Sequence, residues 1–177
     1  RGMTSIEQAA RFIFLNKCCF NGLYRVNLNG QFNTPFGSYK DPLICDVDNL
    51  RLVHEALKRV KIMECDFEQA IKGACLGDAV YFDPPYLPLS QTSKFTSYTS
   101  SGFDFNDHVR LQDTFACMAS IGIRVLVSNS SAPEALKLYD GYDIDFLTGS
   151  RNVGGPATYR KSVKEILVFA GRKESTR

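Results

Sequence analysis

The stretch Asp78-Ala79-Val80-Tyr81-Phe82-Asp83-Pro84-Pro85-Tyr86 passes from a short apolar run straight into two prolines. Its first five residues read as a buried strand, because Val, Tyr and Phe suit a pleated surface. Successive prolines remove two backbone donors, fix φ and push Asp83 into an extended conformation. What remains is a rigid rim of acceptors just past the carboxyl end of a strand. Open α/β sheets form their ligand sites at that end. A strand followed by a Pro-Pro turn with a buried tyrosine is the plainer account. With proline at roughly 5% of residues, a chance acid-Pro-Pro-aromatic string in a chain of this length is on the order of 1 in 100.

Working outward, short apolar runs at 61–65, Ala79–Phe82, 124–127, 142–147 and 163–170 alternate with helix-like stretches at 68–75, 106–121 and 133–139. That alternation predicts an α/β sheet ending in an antiparallel pair made by its last two strands. Gly122 stands where a glycine stops a helix. Before residue 60 the pattern changes. Ser5-Ile6-Glu7-Gln8 fits a capping box, and Ile6, Ala9, Ala10, Ile13 and Phe14 follow at helical spacing, which fails near 18–22. Residues 23–42 are polar and turn-rich, and Asn29-Gly30 signals a β-hairpin. A second helix is expected from Asp48, burying Leu50, Val53, Leu57 and Val60. The chain thus divides into a helix–hairpin–helix unit over 1–60 and an α/β portion over 61–177.

The composition narrows the class. With 177 residues and 44% apolar content the chain can bury one core of ordinary size. No apolar run approaches the roughly 18 residues of a membrane span. Six cysteines, none in a C-x-x-C pair and none beside a histidine cluster, argue against zinc and read as small buried hydrophobes of a cytoplasmic protein. The net charge of +2 hides a segregation: +4 over residues 1–40, −7 over 41–147 and +5 over 148–177. Basic ends flanking an acidic middle suit a protein that grips a polyanion.

The acceptors at 83–84 also suit a specific chemistry. An adenine exocyclic amine is a poor nucleophile because its lone pair is delocalised into the ring. A carboxylate and a carbonyl that accept its two N–H bonds help to localise that pair, and Tyr86 supplies a flat face for a base extruded from a duplex. Here a family resemblance becomes specific. Asp83-Pro84-Pro85-Tyr86 is similar to the catalytic motif of amino-methyltransferases. Phe14-Leu15-Asn16-Lys17, Phe20-Asn21-Gly22-Leu23-Tyr24-Arg25-Val26-Asn27 and Gly30-Gln31-Phe32-Asn33-Thr34-Pro35-Phe36-Gly37 resemble the target-recognition region of Dam-type site-specific DNA adenine-N6 methyltransferases. Phe95-Thr96-Ser97-Tyr98, Ser128-Asn129 and Arg160-Lys161 resemble that family too.

The resemblance implies a Rossmann-like α/β sheet of the S-adenosylmethionine-dependent methyltransferase kind, with a small helical and β-hairpin DNA-recognition unit. It implies methyl transfer from S-adenosylmethionine to N6 of a flipped adenine in double-stranded DNA, within a GATC-like site, without a metal, in a bacterial, archaeal or phage-encoded protein. Asp83, Pro84, Pro85 and Tyr86 are then catalytic, and Asp66 and Phe67 contact the cofactor's adenine, with Asp66 also able to cap the helix after it. Phe20, Asn21, Leu23, Arg25 and Pro35 face DNA, with Arg25 reading a guanine. Neither His54 nor His108 has a part in this chemistry. The glycine-rich strand-turn and the first strands of such a sheet are absent before residue 60, so a preceding segment is the expected partner. Two rivals remain: an amino-methyltransferase acting on cytosine N4, and a DNA-binding fragment without methylating activity.

Overall fold

A computed structural model describes residues 3–89, 102–150 and 162–171. The chain forms two compact units, Arg1–Ile62 and Met63–Arg177. The second unit runs α3 (Phe67–Ala70), β1 (Ala79–Phe82), α4 (Phe105–Ser120), β2 (Arg124–Ser130), α5 (Pro133–Leu138), β3 (Asp143–Ser150) and β4 (Ser162–Ala170). Its sheet has the order β1-β2-β4-β3. β1 and β2 are parallel, which requires a crossover, and α4 lies in that connection. β4 pairs antiparallel with both β2 and β3, so the expected antiparallel pair at the end of the chain is present.

Alternation along the strands selects the buried face. Val125 and Val127 of β2 and Ile166 and Val168 of β4 join Leu111, Phe115 and Met118 of α4 in one apolar core. Phe115, fully buried, meets Tyr139 and Tyr142 edge-on at 5.5 and 5.0 Å between ring centroids. Asp104 caps α4 by accepting from Asn106 and Asp107, and Asp107 answers the cap. The helix ends at Ile121, and Gly122 follows with φ +82°, as its place in the sequence predicts. On the other face Tyr81 and Leu147 are exposed.

In the first unit α1 spans Ser5–Cys18, a 3-10 turn follows at Phe20–Gly22, and α2 spans Val47–Leu57. The hairpin forms around the bridge between Val26 and Phe32, with the Gly30 amide donating to the Asn27 carbonyl at 2.9 Å.

Several expectations need correction. The capping box of α1 is Thr4 with Glu7, one residue earlier than the Ser5 reading, because Thr4 is the residue left extended before the helix. Residues 61–65 form no strand: a strand needs a ladder partner, and β1 pairs only with β2 among the described residues. α3 stops at Ala70, short of Cys75, in a turn where Gly73 takes φ +96°. Leu50, Val53, Leu57 and Val60 are exposed, since no described element covers that stripe. Only Cys18 and Cys19 are buried cysteines; the other four are exposed.

Candidate active site

Strand register brings the site together. Phe82 is level with Val127, so the next residues, Asp83 and Ser128, emerge side by side at parallel strand ends. The Ser128 hydroxyl donates to Asp83 Oδ1 at 2.6 Å and accepts from the Tyr81 hydroxyl at 3.0 Å. Tyr86, half-buried, also bonds to Ser128. Burial, with Glu165 and Asp83 nearby, still holds its hydroxyl above the usual phenol range.

The far end of the motif is fixed by the next two residues of β2. Asn129, wholly buried, accepts from the Leu87 amide at 2.9 Å and from the Ser130 amide at 2.8 Å. Ser130 donates its hydroxyl to the Leu87 carbonyl. From α4, His108 reaches the Pro85 carbonyl. Its Nδ1 is buried without a hydrogen-bond partner among the described residues. Phe103 packs edge-on against the imidazole at 5.0 Å. Burial outweighs Asp107 and Asp104 and keeps the histidine below its ordinary pKa, hence neutral. Four side chains from two elements therefore hold a loop that its prolines already stiffen.

Beside this loop lies an open cavity of about 290 Å³, walled by Phe67, Ile71, Phe82 and Phe103 and rimmed by Asp83 and Pro84. Phe67 stands 6.3 Å from Phe82 and 6.1 Å from Phe103 between centroids. Aromatic walls beside a carboxylate rim suit a flat heteroaromatic ring. Asp66 does not line the cavity. It caps α3 through the Glu68 amide, and both its oxygens engage Arg110, at 3.1 and 3.0 Å. That pairing holds its carboxyl below the usual range. Arg110 also pairs with Glu68 and Asp107, and its guanidinium lies 4.4 Å from the centre of the Phe67 ring. Asp66 thus acts on the cavity wall through Arg110.

The five candidate DNA-facing residues fall in the first unit. Phe20 is half exposed, and its amide donates to the Pro35 carbonyl at 2.9 Å. Asn21 takes φ +53°, a left-handed conformation that asparagine tolerates, and Leu23 follows the turn half-buried. Arg25 is exposed but not free: Nε donates to Asn33 Oδ1 at 2.9 Å and Nη2 to the Asn33 carbonyl at 3.0 Å. Phe95-Thr96-Ser97-Tyr98 and Arg160-Lys161 lie outside the described residues.

Sequence reasoning passed over Tyr81, Arg110 and Ser130, and it set aside His108, which the structure places against the Pro85 carbonyl. An i, i+3 pairing of Asp107 with Arg110 was visible in the pattern, but nothing local announces the other partners. Among the described residues no cluster of His, Cys, Asp or Glu is placed to hold a metal ion, and no helix is long and apolar enough to cross a membrane.

Comparison with known proteins agrees with the motif. The sequence pattern of the D12 class N6 adenine-specific DNA methyltransferases matches residues 1–152. The chain is 47% identical over 168 residues to type II methyltransferase M1.LlaDCHI of Lactococcus lactis subsp. cremoris, covering 94% of this chain and 59% of that protein. It is 42% identical over 166 residues to type II methyltransferase M.MjaIII of Methanocaldococcus jannaschii, covering 93% and 57%. It is 35% identical over 159 residues to a DNA adenine methylase of Vibrio cholerae, covering 89% and 57%. The chain spans somewhat under three fifths of the length of these relatives. With most of its length matched, the chain belongs to the D12 class N6 adenine-specific DNA methyltransferase family.

Proposed function

We propose that this chain carries the catalytic motif and target-recognition unit of a methyltransferase that acts on N6 of an adenine extruded from double-stranded DNA. The observation that carries this reading is the placement of Asp83 and Pro84 on the rim of the aromatic cavity, with one Asp83 oxygen held by Ser128 and Oδ2 taking no bond among the described residues. Asp83 Oδ2 and the Pro84 carbonyl accept the two amine hydrogens, and Tyr86 stacks on the base. Phe67, backed by Arg110, offers the face for the adenine ring of S-adenosylmethionine, with Asp66 setting Arg110. When bound, that donor supplies a methyl group made electrophilic by its sulfonium. The prolines and His108 hold the acceptors in place before the base arrives, so little reorganisation is needed. No metal is required, because the transferred group is already activated.

We also assign the first unit to target recognition, with Arg25 reading a guanine and Phe20, Asn21, Leu23 and Pro35 against the bases around it. The site is GATC-like, and the sheet is the part of a Rossmann-like methyltransferase sheet that this chain supplies. The test is Asp83→Ala in the full-length protein, assayed for N6-methyladenine in duplex DNA. Transfer should fall by about 10²–10³-fold, the scale of losing one preorganised group, with DNA binding retained. Near-normal turnover on adenine would overturn the catalytic assignment, and N4-methylcytosine as product would replace the substrate.

A further inference from the structure

We propose that Ser128 is the positioning residue of Asp83, and that Tyr81 sets the direction of the Ser128 hydroxyl; the inference rests on the methyl-transfer reading above. A serine hydroxyl has one hydrogen to give. Three oxygens compete for it: Asp83 Oδ1 at 2.6 Å, the Phe82 carbonyl at 3.5 Å and the uncharged Tyr86 hydroxyl. The shorter bond, to a charged acceptor, wins: 2.6 Å lies in the range of charge-assisted O–H···O⁻ bonds, which are about twice as strong as neutral ones. The Phe82 carbonyl is at the limit of hydrogen bonding, and the Tyr86 hydroxyl carries no charge to draw the hydrogen.

Tyr81 removes the remaining freedom. Its ring lies on the open face of the sheet, 57% exposed, yet its hydroxyl turns back to Ser128 at 3.0 Å. A donor arriving on one Ser128 lone pair turns the serine hydrogen away from Tyr81 and toward Asp83. The position is structural as well as chemical. Tyr81 and Ser128 project from adjacent parallel strands, and Ser128 is almost wholly buried. With Oδ1 fastened, the Asp83 carboxylate cannot rotate about its terminal torsion without breaking a part-buried, charge-assisted bond. Oδ2 is then the oxygen that meets an incoming amine. Ser128 acts through side chains that meet the base, Asp83 first by its short bond and Tyr86 beside it.

The test uses the full-length protein with S-adenosylmethionine and an unmethylated duplex. Ser128→Ala should lower kcat by about 10- to 100-fold, the value of a hydrogen bond to a charged group, while KM for both substrates stays within about threefold. Ser128→Thr, which restores the hydroxyl, should recover most of the rate. Tyr81→Phe should lose a few-fold in kcat with unchanged KM. Thermal unfolding of each variant separates this from a folding defect. Wild-type kcat in a folded Ser128→Ala protein overturns the inference. So does a loss that appears mainly in KM, or one that tracks only the folded fraction. Failure of Ser128→Thr to recover, together with a wild-type rate for Tyr81→Phe, also overturns it. An inactive wild-type protein would instead remove the methyl-transfer reading, and this inference with it.

Discussion

Arg25 shows how one side chain can be prepared for a partner before the partner arrives. Asn33 holds the Nε–Nη2 edge of the guanidinium at two points, through its side-chain oxygen and its backbone carbonyl. Its rotamer entropy is therefore largely lost in advance, which favours a directed contact over a loose phosphate contact. Arg25→Ala should cost about 1–3 kcal/mol of discrimination at one guanine while binding to random DNA changes little. Asn33→Ala should weaken the same discrimination less. Equal loss on all sequences, measured as binding against salt concentration, would make Arg25 a backbone anchor instead. His108 makes a second case at this scale. Its folded pKa is depressed by burial, whereas in the unfolded chain it takes up a proton near 6.5. Its neutral burial is therefore without cost above about pH 6.5, and stability is lost as pH falls from there through the folded value. Urea midpoints between pH 7 and pH 5 should decline in the wild-type protein and decline less in His108→Asn. Parallel curves for the two proteins would show that another group carries the dependence.

Among the elements, α1 offers a direct test of where its cap lies. Thr4 Oγ1 accepts from the Glu7 amide at 3.3 Å, and the Thr4 amide and hydroxyl donate to Glu7 Oε2 at 2.7 and 2.9 Å. Those bonds hold the Glu7 carboxyl below its ordinary range. Both bonds of the box belong to Thr4, so Thr4→Ala should destabilise the unit by about 1 kcal/mol and Ser5→Ala should change stability little. Reversed thermal shifts would restore the Ser5 reading. The sequence supported either, because Thr-x-x-Glu and Ser-x-x-Gln are overlapping boxes one residue apart. β1 is the counterexample, an element whose chemistry was plain from its own residues. A short apolar run ending in Asp-Pro-Pro could hardly do anything but extend and then stop, and it does.

Among the described residues, the second unit covers only one face of its sheet, β1 is an edge strand, and Tyr81 and Leu147 lie open on the face away from the core. An unpaired edge beside an apolar face invites association. The isolated 177-residue chain should therefore bind an apolar fluorescent dye and self-associate with rising concentration. A sharply cooperative unfolding transition with no dye binding and a monomeric mass by sedimentation would contradict this. What the sequence determined by itself was everything governed by near neighbours: the strand that ends in two prolines, the helical spacing of α1 and α4, the Asn-Gly turn, the glycine after α4, and Asp66 as a cap. Local sterics and bonds within a few residues decide such features, so they are written along the chain. Tertiary structure alone decided that Ser128 lies against Asp83, Arg110 against Asp66 and His108 against Pro85, and that residues 61–65 form no strand. The two side-chain bonds among these join residues 45 and 44 positions apart. Contacts of that span follow from the register of β1 on β2 and the packing of α4, and no short window of sequence contains either partner's position.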